Sequence, residues 1–197
     1  QYDHPDLAAN YDATGQYDYG GNDSSPYPEF SNSHGTAVAG LIAADNNGVG
    51  GVGGAFDATV TGFRIFGGGV SESEFADVFY RQASLDVTNN SWGYGGYFYD
   101  NLDGGQFDAV GAAIESAVTN GRDGLGTVLL WAAGNSRQEG QDANYHGFQN
   151  ARETIAVAAV DDTGGISYYS TPGAPLLVAA PSNGGGERPP GFQVPYA

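Results

Sequence analysis

The sequence predicts an α/β domain, a mostly parallel sheet with helices on its faces. Three observations carry this expectation. From residue 33 onward, short β-branched and aromatic runs alternate with segments of helical periodicity. Glycine and asparagine breaks follow the apolar runs directly, at 89–93 and 133–135, where a parallel sheet keeps its loops at the carboxyl ends of strands. The chain has 197 residues, 40% of them hydrophobic, enough to bury one substantial core without a second domain.

Residues 1–32 show little periodicity, many carboxylates and amides, and prolines at 5, 26 and 28, and read as surface loop with a short helical turn near 6–10. Residues 33–54, SHGTAVAGLIAADNNGVGGVGG, place a histidine at the first turn of a short helix. The apolar run Ala37, Val38, Ala39, Leu41 and Ile42 suits burial of that helix, and a glycine and asparagine loop closes it. Residues 58–66 are β-branched and aromatic, as in a buried parallel strand, and the glycines at 67–69 break it. Ser71 and Glu74 have the spacing of a capping box ahead of Phe75, Val78, Phe79 and Ala83, which fall at helical intervals. Residues 86–92 read as the next strand, ending at Gly93 in an aromatic and glycine-rich loop through Gly105. Val110, Ile114 and Val118 mark another amphipathic helix, stopped near Asn120 and Gly121. Residues 127–133 are the most apolar strand and run straight into Gly134 and Asn135. Residues 154–160 and 175–180 are two further strands with no long helix between them, and 182–197, rich in glycine and proline, read as loop.

The net charge is -17 and all six basic residues are arginine, so a nucleic-acid partner is excluded: the chain repels phosphates and has no basic patch. An acidic surface leaves three readings open: solubility in a salty medium, attraction for cationic substrates, or calcium binding. Without cysteine there is no disulfide, thiolate metal site or cysteine nucleophile. An extracellular chain of this kind needs another staple, and bound calcium is the obvious one. No apolar run approaches the ~18 residues of a membrane span. The chain begins at Gln1 without an initiator methionine or a signal-like segment, which suggests processing or a piece of something longer.

His34 at a helix start, Asn135 after a buried strand, and Ser91, Trp92 and Gly93 at a strand end are the parts that acyl transfer requires. They offer a general base, a hydrogen-bond donor for a developing oxyanion, and an extended edge that pairs with a peptide backbone.

These parts sit in stretches that resemble the subtilisin-like serine peptidases, and within them the kexin and furin branch. The stretches are HPDLAANY at 4–11, SHGTAVAGLIAADNNGVGGVGGAF at 33–56, NNSWG at 89–93, NGRDGLGTVLLWAAGN at 120–135, NYHGFQN at 144–150 and TIAVAAV at 154–160. The resemblance implies a three-layer subtilisin-like α/β fold with a mostly parallel central sheet flanked by helices. It implies His34 as the base of a Ser-His-Asp triad, Asn135 as the oxyanion-hole side chain, and Ser91, Trp92 and Gly93 as the substrate-pairing strand. Ala132, Ala133 and Gly134 become the opposite wall of the specificity pocket. It also implies Ca2+ held by the Asp6 carboxylate and by the loop at Ala44, Asn47, Val49 and Gly51, a secreted or extracellular location, a protein or peptide substrate, and a pro-segment. A monomer is the default state.

Departures from the family pattern bear on both ends and on specificity. The triad aspartate is expected upstream of Gln1 and the nucleophilic serine downstream of Ala197, since no Gly-Thr-Ser occurs. Residues 1–197 thus read as the interior of a peptidase domain, incomplete at both ends. The acidic positions of a second calcium site in kexin-type members appear as Gln141 and Thr171. Two pocket carboxylates that select basic residues appear as Gly96 and His146, which with Tyr94 and Tyr97 favour a bulky uncharged side chain. Asp100, Asp103 and Asp142 are expected in loops facing water; the alternative is that an aspartate from 97–103 folds back and restores basic preference. A different class of reading keeps the fold and cleft as a non-catalytic peptide-binding module, for which neither His34 nor Asn135 has a chemical use.

Overall fold

The computed structural model describes residues 1–29 and 32–183, so the expected loop at 182–197 lies outside the described residues from 184 onward. The chain divides into two compact units, Gln1–Ser71 and one that begins at Glu72.

In the first unit β1 (Tyr17–Asp18) pairs in parallel with β2 (Phe63–Arg64), and a parallel bridge joins Tyr11 to Val60. The apolar run at 58–66 therefore forms only a two-residue strand, and its partner comes from a stretch expected to be loop. The reason lies in Arg64. Its guanidinium is drawn onto the buried Asp18 carboxylate at 2.6 Å and onto Glu29 at 2.8 Å, so a polar knot replaces the continuous apolar strand. Burial works to discharge Arg64, but the hydrogen bonds and charges of Asp18 and Glu29 outweigh it and raise the guanidinium above its ordinary range. Helix α1 (His34–Ala43) forms as expected, yet only Ala43 in it is buried, and Leu41 is 77% exposed. A helix apolar on every side is ordinarily buried, so the exposure of α1 departs from what its composition signals. The chain folds back on its last turn through Gly54 N–H to Leu41 and Ala55 N–H to Ile42 carbonyls, and the Gln1 ammonium donates to the Thr36 hydroxyl in its first turn at 2.6 Å.

The second unit holds a four-stranded, wholly parallel sheet in the order β3 (Val87–Asn90), β4 (Val128–Ala132), β5 (Thr154–Val160), β6 (Val178–Pro181). The strand expected at 175–180 starts later and ends on Pro181, which an edge strand tolerates. Helix α2 (Glu72–Gln82) buries Phe75, Val78 and Phe79, and α3 (Asp108–Gly124) buries Val110, Ala113, Ile114 and Ala117, the three-and-four spacing read from the sequence. Regular helix ends at Asn120: Gly121 has ψ 150°, and Arg122 and Asp123 take φ of 53° and 57°. That turn is fastened by Arg122 N–H to the Ala83 carbonyl and by the Thr127 hydroxyl to the Leu85 carbonyl at 2.8 Å.

The core beneath the strand ends is aromatic. Trp131, Phe79 and Phe148 are fully buried; the Trp131 and Phe148 rings stack at 4.5 Å with 12° between their planes, and Trp92 meets Trp131 edge-on at 4.6 Å. Helix α4 (Gly147–Asn150) carries Phe148 into this stack.

Candidate functional site

The predicted cleft residues of the second unit come together at the carboxyl ends of β3 and β4. Pairing of Asn90 with Trp131 sets the two exits side by side, so Ser91, Trp92 and Gly93 leave one strand while Ala133 and Gly134 leave its neighbour after Ala132. Among the described residues β3 is the outermost strand of this sheet on the side that leads into 91–93. Trp92 is pinned by its carbonyl, which accepts the Trp131 indole N–H at 2.7 Å. Across the gap, Gly134 has φ 105°, and a Cβ there would stand 2.9 Å from the Thr171 hydroxyl, so glycine is required. Thr171 N–H donates to the Gly134 carbonyl and the Thr171 hydroxyl accepts from Ser136 N–H, both at 3.0 Å. These bonds fix the turn that presents the exposed Asn135.

Gln149, which the sequence did not single out, bridges the two exits. Its Nε2 donates to the Ala132 carbonyl at 3.1 Å, and a Cβ on Gly93 would lie 3.0 Å from the same nitrogen. Its Oε1 is buried without a partner.

Below lies a correction to the expected pocket. His146 is 4% exposed and turns inward, with Nε2 against Gln141 Oε1 at 3.0 Å; Asp100, expected to face water, is fully buried beside it and accepts from Phe148 N–H at 3.2 Å. An aspartate from the loop does fold back, but with no exposed surface for a substrate to touch. Gly96 stays exposed at the rim. Burial, then Tyr99 and the charge of Asp100, push the Tyr94 phenol above its ordinary range, so it stays neutral beside the cleft. Gln141 and Thr171 tie the segments by direct bonds, Gln141 through Nε2 to the Gly95 carbonyl at 3.0 Å. A depression of about 850 Å3, lined by Phe98, Ile114, Tyr145 and Arg152 among others, contains none of the predicted site residues.

The first unit carries His34, exposed at the first position of α1, and the five expected ion contacts. Asp6 is 7% exposed; its Oδ2 accepts from Gly51 N–H at 3.2 Å, while its Oδ1 is buried with no partner. A side chain on Gly50 would overlap that carboxylate, and Gly50 has φ 61°, so the loop closes over Asp6 only because it is glycine. Asn47 docks the loop through Nδ2 to the Pro5 carbonyl at 3.2 Å, and the Ala44 carbonyl accepts from Gly53 N–H at 2.9 Å. The Asn47 amide oxygen already accepts from Val49 N–H at 2.9 Å, so the unpartnered oxygen of this set is Asp6 Oδ1, a hard donor of the kind calcium takes. Among the described residues no cluster of three or more histidine, cysteine or acidic side chains could hold a metal, so only this carboxylate-plus-carbonyl type of site is on offer.

Comparison with known proteins bears on the family and the fold. The Subtilase family matches residues 1–190. The chain is 35% identical over 192 residues to the human "Proprotein convertase subtilisin/kexin type 4", covering 92% of this chain and 25% of that protein. It is 37% identical over 186 residues to the "Dibasic-processing endoprotease" of Yarrowia lipolytica, covering 91% of this chain and 18% of that protein. The chain thus spans a quarter or less of the length of these curated relatives. The crystal structure of a serine protease of Aeromonas sobria superposes with a TM-score of 0.82 at 21% identity, over 93% of this chain and 34% of that one, a likeness of fold.

Proposed function

Because the chain belongs to the subtilase family, we propose that it carries the base and the substrate cleft of a serine endopeptidase. The single observation that supports this most is the pair of adjacent strand exits, 91–93 and 132–134, bridged by the Gln149 amide with Asn135 at the tip of one of them. A peptide lying along the edge at 91–93 would pair through its backbone and present its scissile carbonyl toward the Asn135 amide. His34 would take the proton of the attacking serine and return it to the leaving amine. That serine and the orienting aspartate are assigned to parts of the protein outside these 197 residues, since Gly-Thr-Ser is absent from them. A secreted location and a monomeric state belong to the same reading. No helix among the described residues is long and apolar enough to cross a membrane.

The test is a peptide-library profile with the full-length protein. Gly96 and the inward-turned His146 present no carboxylate to a substrate, and Asp100 is sealed, so a basic side chain would lose its hydration without a partner. Cleavage is expected after bulky uncharged residues. Dominant cleavage after arginine or lysine would sink this specificity, and no cleavage of any peptide would sink the endopeptidase.

The Asp6 loop fits Ca2+, which would staple a chain that has no cysteine. Asp6 and the Asn47 amide oxygen would contribute side chains, and Ala44, Val49 and Gly51 carbonyls. Saturating calcium, at 100 times its Kd, is expected to stabilise the folded protein by about 2.7 kcal/mol, with magnesium a poor substitute. The check is Tm with calcium and with chelator. An Asp6→Asn protein that responded to calcium as the wild type does would remove this site.

A further inference from the structure

At the floor of the cleft two buried groups face each other. His146 Nδ1 lies 3.8 Å from Asp100 Oδ1, and neither atom has a hydrogen-bond partner. Their remaining polar atoms are committed. Gln141 uses its Nε2 on the Gly95 carbonyl, so the atom it turns to His146 is the acceptor Oε1, and His146 Nε2 must carry a proton. In a neutral imidazole Nδ1 is then bare, and two lone pairs meet. Asp100 Oδ2 has only Phe148 N–H, a thin shell for a carboxylate cut off from water. Arg64, Arg81, Arg122 and Arg152 are each paired with other acids.

We propose that a second proton on His146 joins it to Asp100, forming a net-neutral imidazolium–carboxylate latch that holds the 94–104 loop against the 141–149 segment. Asp100 is a positioning residue that acts through His146. The loop needs such fastening: Phe98 takes φ 54°, in the left-handed region unfavourable for a bulky side chain, and it is held by Phe98 N–H to the Tyr145 carbonyl at 2.8 Å. The other titratable groups around the pair are Tyr97, whose ring lies 6.4 Å from the imidazole, Tyr94, which senses the Asp100 charge, and Asp142, whose Oδ1 is taken by Asn144 at 2.9 and 2.6 Å. Without that proton the loop bearing Gly96 and Tyr97 keeps the Gly95 and Phe98 backbone bonds to this segment but not the latch, so binding weakens while the chemical step does not. The kinetic consequence rests on the peptidase reading; the protonation of the ring does not.

The experiment is 15N NMR of histidine-labelled full-length protein at neutral pH, with the His146 signals identified by their loss in His146→Gln. Two ring N–H groups are expected in the wild type and one in Asp100→Asn, whose amide can accept from Phe148 and donate to a neutral Nδ1. A bare Nδ1 in the wild type would overturn the proposal, and that spectrum decides the matter even where Asp100→Asn fails to fold. In kinetics at neutral pH, Asp100→Asn should raise KM about tenfold over the wild type, the loss of one charge-assisted hydrogen bond, with kcat unchanged. Equal KM values for the two proteins would contradict the latch. Absence of peptidase activity with two N–H groups present would leave the latch standing and sink the functional reading instead.

Discussion

Asn135→Ala in the full-length protein is expected to lower kcat about 100- to 1,000-fold, roughly 3 to 4 kcal/mol of transition-state stabilisation, with KM little changed. The argument is one of position and timing. Asn135 is exposed at the tip of the turn after β4, and that turn is fixed from behind by the two Thr171 bonds and by a Gly134 backbone that no other residue fits. A side chain so held needs no reorganisation when a negative oxygen develops beside it, and has little to offer a neutral ground-state carbonyl. Steady-state kinetics on a peptide substrate separate the two parameters. A parallel rise in KM with kcat preserved would mean that Asn135 only binds.

Phe148→Ala is expected to cost about 3 to 5 kcal/mol of unfolding free energy, read from urea denaturation of the full-length protein. Phe148 has no exposed surface, stacks on Trp131, and meets Trp92 at 5.1 Å, so truncation opens a cavity where three aromatic rings converge. The same residue's N–H holds Asp100, so its backbone position also carries the floor of the cleft. Phe148→Leu should recover much of the loss by refilling the volume. A loss below about 1 kcal/mol for the alanine variant would show that this stack is not the core of the unit.

The contrast between these residues shows what the sequence could reveal. Helices α2 and α3 and strands β4 and β5 were legible because their apolar spacing is local and their faces are cleanly divided. Asn135, His34 and residues 91–93 stood out as candidates for a similar reason: each lies at an element's end, next to glycine, in a short motif. Strand β1 was not, since two residues held by a distant Arg64 leave no periodic trace. The exposure of α1 was misjudged because small apolar residues on every side signal burial without saying what covers them. Asp100 and His146 meet across 46 positions, and nothing near Asp100 distinguishes it from the solvated acids around it; only the fold removes its water. Gln149 gains its role from the neighbouring strand exits in the same way.

Covalent labelling of the full-length protein with a serine-directed phosphonate is the sharpest test of His34 as the proposed base. The expected result is one adduct per molecule, mapped by mass spectrometry to a serine outside residues 1–197, and its loss in His34→Ala while the fold is retained. No adduct in the wild type, or an adduct that forms equally well without His34, would contradict the account and favour a protein that binds peptides without cutting them.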